Sequence, residues 1–320
     1  MHIKTTNRLF LVSIIVSFVS MFIMDGVPDV WGIHELIPYL IFFVISIIVI
    51  KRDGAEFFEV LPYNKKISCK EIVLIILLTF LLYPANNLFS QIGSMLGGDV
   101  VSLGMGAIED AIGDNLVEQL FVVAVIPAVF EEMYFRGFFF SGYRKYRGAR
   151  TAIILSSVLF GLFHMNFQQF LYATILGIII AVIRELTGSM WAGMLFHFAN
   201  NAMAVIMGYI ENNNEGLDKI VKKYGPISNM NFDDMAHTIY TIVAFVVSLP
   251  LVYLVLKAIA KGRNRESDFK TFFKENTAKE KERLVSASLV ISIVFYVLVV
   301  LIIFAAVKSG FAAEFFSFAK

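Results

Sequence analysis

Charged residues are scarce in this chain, and cysteine is almost absent. Only 17% of the 320 residues are Asp, Glu, Lys or Arg, whereas soluble domains contain about 25%. Cys69 is the single cysteine, which excludes an intramolecular disulfide and a cysteine-based metal cluster. The formal net charge is +1, so the overall charge gives no reason to expect nucleic-acid binding.

Two common hydrolase motifs are also missing from the sequence. It contains no G-x-S-x-G nucleophile elbow, the motif that places a catalytic serine in α/β-hydrolases. His34 and Glu35 are adjacent, but no second histidine follows at the zincin spacing. A catalytic site, if the chain has one, must therefore be built from other polar groups.

Long hydrophobic runs are what the sequence has in abundance. Of its residues, 58% are hydrophobic, and the mean hydropathy is +0.74. Most of the runs reach the roughly 17–25 residues that a membrane-spanning helix needs. The pattern predicts an all-α fold, a polytopic transmembrane helix bundle of about eight to nine spans. The nine runs are 9–24, 34–50, 72–89, 116–140, 151–167, 168–186, 187–210, 236–256 and 284–307.

Lys and Arg are concentrated in alternate connections between these runs. Because cytoplasmic loops carry the excess of positive charge, the pattern predicts a multi-pass integral membrane protein with a cytoplasmic N-terminus. The charge pattern does not identify the organism; we expect the plasma membrane of a bacterium as the location. We expect three parts. Residues 1–115 hold the N-terminal spans and an outer-surface segment, residues 116–210 form the core, and residues 211–320 hold an outer loop, a basic cytoplasmic loop and two C-terminal spans.

The fourth run contains a central group of three charged residues, Glu131, Glu132 and Arg136, and each charge costs roughly 2.5–3.5 kcal/mol at membrane depth. Glu132 and Arg136 are four residues apart, so they share one helix face and can form an ion pair. Glu131 lies about 140° around the helix from Arg136, and we expect its carboxylate to be uncommitted. Pro127 lacks an N–H and should kink the helix or leave the Val123 carbonyl free. A functional site and a structural ion network both fit this pattern.

Three further polar residues lie inside apolar runs. His164 follows Phe160 by four residues, and Asn201 follows His197 by four. Counted from the cytoplasmic helix ends, Glu131, His164 and His197 lie at similar depths of about 15–21 Å. Such groups could hold a divalent metal or activate a water molecule. They could also be helix–helix hydrogen-bonding residues, axial haem ligands or a transporter's proton relay.

These residues resemble the CPBP family of intramembrane proteases, which includes the CAAX prenyl endopeptidases and the bacterial Abi proteins. The family's motifs are E-E-x-x-x-R, F-x-x-x-H and H-x-x-x-N, and all three are intact and in order. The resemblance covers the core, roughly 116–210. The motif residues in this chain are Glu131, Glu132, Arg136, Phe160, His164, His197 and Asn201.

The resemblance implies an intramembrane endopeptidase. It implies that Glu131 and His164 position and activate a water molecule, and that His197 and Asn201 stabilise the oxyanion or complete a metal site. Glu131, His164 and His197 would be acceptable ligands for a divalent metal, zinc above all. A metal-free water activated by the glutamate is the alternative. The supporting residues would be Glu132, Arg136 and Phe160.

The expected partners are the lipid bilayer and a membrane-associated protein or peptide substrate, with no nucleic acid. Some relatives cut prenylated substrates and others do not, so the resemblance leaves the substrate's identity open. A non-enzymatic membrane scaffold or immunity protein of the same fold is the main alternative function, ahead of a transporter or a haem protein. The complete set of four predicted catalytic side chains favours the enzyme, because a scaffold need not retain them.

Overall fold

A computed structural model of the protein describes residues 1–23, 32–97, 115–164, 167–213, 235–271 and 281–308. Within these ranges the chain forms helices and no β-strand, which confirms the predicted all-α bundle. Helices satisfy most of their backbone hydrogen bonds within the segment, which suits a lipid environment. Three predicted features lie outside the described residues, wholly or in large part: the outer-surface segment (98–114), the outer loop (214–234) and part of the basic loop (272–280).

The elements are numbered in chain order. The α-helices are α1 (Ile3–Ile23), α2 (Ile33–Arg52), α3 (Phe57–Val60), α4 (Cys69–Gly97), α5 (Leu116–Gln119), α6 (Ile126–Glu132), α7 (Phe140–Phe163), α8 (Phe167–Thr187), α9 (Met190–Asn213), α10 (Met235–Gly262), α11 (Glu266–Thr271) and α12 (Ala287–Lys308). Two π-helical segments, Leu120–Val125 and Met133–Phe139, flank α6.

Four of the described helices are long and apolar enough to cross a membrane, namely α1, α4, α8 and α10. A shorter apolar stretch, Ala287–Ile302, lies in α12. The count of eight to nine spans therefore stays a prediction.

The fourth predicted span differs most from expectation. It consists of α5, the first π-helical segment, α6 and the second π-helical segment. Pro127 lies near the start of α6, where it cannot donate a helical hydrogen bond. A π-helical turn holds an extra residue and changes the direction in which later side chains point, and such turns are frequent at functional sites.

Between the fourth and fifth predicted spans, the helix breaks at one glycine. We expected a basic connection between them, but α7 runs through that region and is interrupted at Gly148. Its backbone angles, φ 79° and ψ 176°, lie in a region that only glycine enters readily. The chain therefore changes direction at Gly148, and the basic residues on either side of it are helical.

The packing of the core helices determines where the polar residues meet. Helix α8 packs against α7 and α4, and α9 packs against the first π-helical segment and α6. Arg136 is the largest side chain with no exposed surface, although a buried guanidinium needs partners to offset its lost hydration. The core therefore encloses a polar centre, which the motif residues occupy.

Candidate active site

Glu132, Arg136 and His197 form the centre of the site. Arg136 Nη1 lies 3.0 Å from Glu132 Oε1, an ion-pair contact in which the N–H does not point along the hydrogen-bond direction. Arg136 Nη2 donates to the Gly177 carbonyl at 3.1 Å, and the guanidinium carbon lies 4.5 Å from the centre of the Phe160 ring. The predicted Glu132–Arg136 pair is therefore present and fully buried.

His197 adds a contact that the helix spacing did not predict. Its Nδ1 lies 3.0 Å from Glu132 Oε1. An ionised carboxylate only accepts hydrogen bonds, so Nδ1 carries the proton and donates it to Glu132. A neutral imidazole in this tautomer has its lone pair on Nε2. Glu132 therefore fixes both the orientation of His197 and the chemical character of its other nitrogen.

Glu131 presents one carboxylate oxygen to this imidazole. Its Oε2 lies 3.8 Å from His197 Nε2, which is too far for a direct hydrogen bond but suits one bridging water molecule. Its Oε1 accepts a hydrogen bond of 2.6 Å from the Tyr39 hydroxyl. The expectation of an uncommitted carboxylate is therefore wrong, because a tyrosine from another helix bonds one of its two oxygens.

Phe160 links the two histidines. Its ring makes an edge contact with the His164 ring, with the centroids 4.9 Å apart, and another with the His197 ring, with the centroids 5.7 Å apart. His164 directly follows α7, and its Nδ1 donates to the Phe160 carbonyl at 2.8 Å. Nε2 of a neutral His164 therefore carries the lone pair, as in His197. The Phe160 ring therefore contacts both imidazole rings.

Asn201 bonds the backbone near Pro127. Its Nδ2 donates to the Val123 carbonyl at 2.9 Å, the group that the proline was expected to leave free. Its Oδ1 accepts from Asn200 Nδ2 at 3.3 Å, and Asn200 Oδ1 accepts from Asn86 Nδ2 at 2.6 Å. Three amides therefore form a chain from α4 through α9 to the first π-helical segment, and this chain orients Asn201.

The expected metal ligands do not form a common binding point. Among the residues that the structure describes, no three His, Cys, Asp or Glu side chains are grouped closely enough to hold a metal ion. Glu131 and His197 lie near each other, but one oxygen of Glu131 is bonded by Tyr39. The ligand set of Glu131, His164 and His197 remains a prediction, and we assign no step to a metal.

The connection between α3 and α4 packs against the start of α9. Trp191 Nε1 donates to the Tyr63 carbonyl at 2.9 Å, the two rings make an edge contact, and the Ser189 hydroxyl donates to the Lys65 carbonyl. Burial, with a smaller contribution from the charge of Glu132, raises the pKa of Tyr63 to about 12. Its phenol is therefore neutral at physiological pH.

Sequence reasoning missed Tyr39 and Asn86, which lie on α2 and α4. One signal could have found Tyr39. It is 13 residues from Arg52, the last residue of α2. Glu131 is likewise 13 residues from Arg144, in the basic connection at the predicted cytoplasmic end of the fourth span. At ~1.5 Å per residue both lie about 20 Å deep, so a search for hydroxyl groups at the depth of Glu131 would have included Tyr39.

Comparison with known proteins gives a match within the core. The family model described as type II CAAX prenyl endopeptidase Rce1-like matches residues 113–203, a range that includes every motif residue from Glu131 to Asn201. No curated protein and no solved structure matches the chain. With its apolar helices, the chain is an integral membrane protein. The match confirms the predicted resemblance: over residues 113–203 the chain is similar to the type II CAAX prenyl endopeptidases.

Proposed function

We propose that the protein is an intramembrane endopeptidase that hydrolyses peptide bonds of a membrane-associated protein or peptide. The observation that carries the proposal is the arrangement of Glu131 and His197, whose Oε2 and Nε2 atoms lie 3.8 Å apart in a buried site. Two hydrogen-bond acceptors at this spacing can bind one water molecule and orient its lone pair toward a substrate carbonyl.

The reaction proceeds by general base catalysis. Glu131 takes a proton from the water as the water oxygen bonds to the substrate carbonyl carbon. The C–N bond then breaks, and the proton held by Glu131 passes to the departing amine nitrogen. The products are a carboxylic acid and an amine, so one water molecule is consumed and no redox partner is needed.

The remaining motif residues support this step. Glu132 accepts the Nδ1 proton of His197, and Arg136 balances the charge of Glu132. Asn201 uses one of its two amide protons on Val123, and its second proton is the candidate donor to the oxyanion. Removing one such donor slows a soluble protease by roughly 10²–10³. A zinc ion held by Glu131, His164 and His197 would instead polarise the carbonyl and the water.

The test is cleavage of a membrane-peptide library by the purified protein in liposomes. We expect wild-type protein to cut and Glu131→Gln to be inactive with an unchanged melting temperature, because the amide cannot accept the water's proton. Glu118→Gln, on α5 of the same span, is the matched control and should retain activity. Cleavage by Glu131→Gln at the wild-type rate would contradict the proposal.

Three further measurements separate the alternatives. A chelator that abolishes cleavage, with recovery on addition of zinc, would assign the water activation to a metal, whereas unchanged cleavage would assign it to Glu131 alone. A visible absorption spectrum with a Soret band would favour the haem alternative. If the wild-type protein binds a membrane partner but cuts no peptide in the library, the scaffold function is favoured.

A further inference from the structure

A helix outside the family match takes part in the site. The match covers residues 113–203, whereas α2 ends at Arg52. Tyr39, in the second turn of α2, donates its hydroxyl proton to Glu131 Oε1 at 2.6 Å. Hydrogen bonds to an ionised acceptor are short and about twice as strong as neutral ones. Among the contacts described at Glu131, this is the shortest.

The position of Tyr39 is itself fixed by its neighbours. Its ring stacks on Phe130 with the two planes 1° from parallel and the centroids 5.4 Å apart. The Tyr134 hydroxyl donates to the Tyr39 backbone carbonyl, and the Tyr134 ring makes an edge contact with Phe42 at 4.3 Å. Phe130 and Tyr134 flank Glu131 in sequence. The phenol and the carboxylate are therefore held by the same pair of helical segments.

Glu131 needs such a restraint if it is to act as a base. The terminal torsion of a glutamate is broad rather than confined to narrow rotamer wells, so the side chain does not fix its own carboxylate. With Oε1 bonded to Tyr39, Oε2 is the oxygen that lies toward His197 Nε2. A rotation of the carboxylate would remove the shared water position between these two atoms.

We propose that Tyr39 is a positioning residue that holds Glu131 Oε1, so that Oε2 and His197 Nε2 share the reacting water. The inference rests on the proposed function and extends the working site to α2. Tyr39 does not touch the water or the substrate in this role. Its effect is on the alignment of the base, and a misplacement of about 1 Å in an active site can reduce the rate about 100-fold.

The chain offers a closely matched control. Tyr143 is buried, whereas Tyr39 is partly buried. The Tyr143 hydroxyl donates to Asn7 Oδ1 at 2.6 Å, the same length as the bond between Tyr39 and Glu131. Both Tyr39→Phe and Tyr143→Phe remove one hydroxyl and one hydrogen bond from the helix bundle. Only the first bond involves a residue of the proposed site, so the comparison separates positioning from general stabilisation.

The experiment measures kcat, KM and the melting temperature for the two variants and the wild type in liposomes. For Tyr39→Phe we expect kcat to fall at least 10-fold and up to about 100-fold, with KM changed less than twofold. The loss should persist at lower temperature, where a merely destabilised protein would recover. Tyr143→Phe should keep the wild-type kcat and show a comparable or larger fall in melting temperature.

Equal kcat values for Tyr39→Phe and wild type would overturn the inference while leaving the proposed protease function intact. Recovery of kcat on cooling, or an equal loss in Tyr143→Phe, would overturn it in favour of a structural role. Failure of the wild-type protein to cut any substrate would overturn the proposed function and this inference together. A selective, temperature-independent loss of kcat in Tyr39→Phe supports it.

Discussion

One carboxylate oxygen of Glu132 contacts both Arg136 and His197. Its Oε1 lies 3.0 Å from both Arg136 Nη1 and His197 Nδ1. Its Oε2 is buried without a hydrogen-bond partner among the described residues, so the carboxylate depends on these two contacts. The ion pair therefore stabilises the fold and, through the same atom, fixes the imidazole that faces Glu131.

Replacing Arg136 should damage stability as well as activity. Arg136→Ala leaves the Glu132 charge buried and unpaired, which costs roughly 3–5 kcal/mol. We expect lower yield and a lower melting temperature in detergent, together with lost cleavage. A stable but inactive Arg136→Ala variant would show instead that the guanidinium takes part in the chemistry.

A double variant separates the two roles of the pair. Replacing both partners, as Glu132→Leu with Arg136→Met, removes both buried charges, and such exchanges are often neutral or stabilising. Thermal stability should therefore recover toward the wild-type value. Cleavage should not recover, because His197 has lost the acceptor that sets its tautomer.

The local parts of this site were predictable and the tertiary parts were not. The Glu132–Arg136 pair follows from a spacing of four residues on one helix, since helix geometry alone brings such residues together. The bonds from Tyr39 to Glu131 and from His197 to Glu132 join different helices. Their formation depends on helix packing and rotation, which one sequence does not specify.

The elements that carry the site approach one another very closely. A Cβ atom added at Gly193 would lie 2.9 Å from Glu132 Oε2 and 3.1 Å from Ile180 Cγ2. Helix α9 can therefore lie against α6 and α8 only because residue 193 has no side chain. Small residues have this role in many membrane helix interfaces.

Gly193→Ala should therefore reduce both the stability of the protein and its cleavage rate. The added methyl group would press on a carboxylate that Arg136 and His197 already restrain, and overpacking of this kind costs roughly 1–3 kcal/mol. We expect a lower melting temperature and slower cleavage, since the displaced Glu132 would carry His197 with it. Both quantities are measured in the liposome assay.

Gly208→Ala is the matched control on the same helix. Beyond the backbone of its own helix, no atom of the described residues lies within 4 Å of a Cβ added at Gly208. Alanine favours a helix interior over glycine by up to about 1 kcal/mol. This variant should be as stable as the wild type or slightly more so, with normal cleavage. Equal effects at the two glycines would contradict the proposed close approach.

The hydrophobic pattern of the fourth run did not predict where its helical segments begin and end. The apolar run 116–140 was predicted as one span, and the structure divides it among α- and π-helical segments. Mean hydropathy does not distinguish an α-turn from a π-turn. The Pro127 argument did identify the Val123 carbonyl as a group needing another partner, and Asn201 supplies it. The proline therefore predicted that the Val123 carbonyl needs a hydrogen-bond donor, but it did not predict that Asn201 is that donor.

At the scale of the whole molecule, ion pairs join the segments that charge counting assigns to one side of the membrane. Arg263 binds Glu71 through Nε and Nη2, and Arg144 and Arg265 both bind Glu185. These pairs connect the ends of α4, α7, α8 and α10 with the basic connection that follows α10. The basic segments thus meet at one end of the bundle, as the predicted cytoplasmic face requires.

The single cysteine tests this orientation without any engineered site. Cys69 is exposed at the start of α4, two residues from Glu71 and therefore at the ion-paired end of the bundle. If that end is cytoplasmic, as the distribution of Lys and Arg predicts, a membrane-impermeant maleimide should label inverted membrane vesicles and spare intact cells. Cys69→Ser should abolish labelling in both preparations, which identifies the modified residue. Labelling of Cys69 in intact cells at the rate seen in inverted vesicles would place this end outside and reverse the predicted topology.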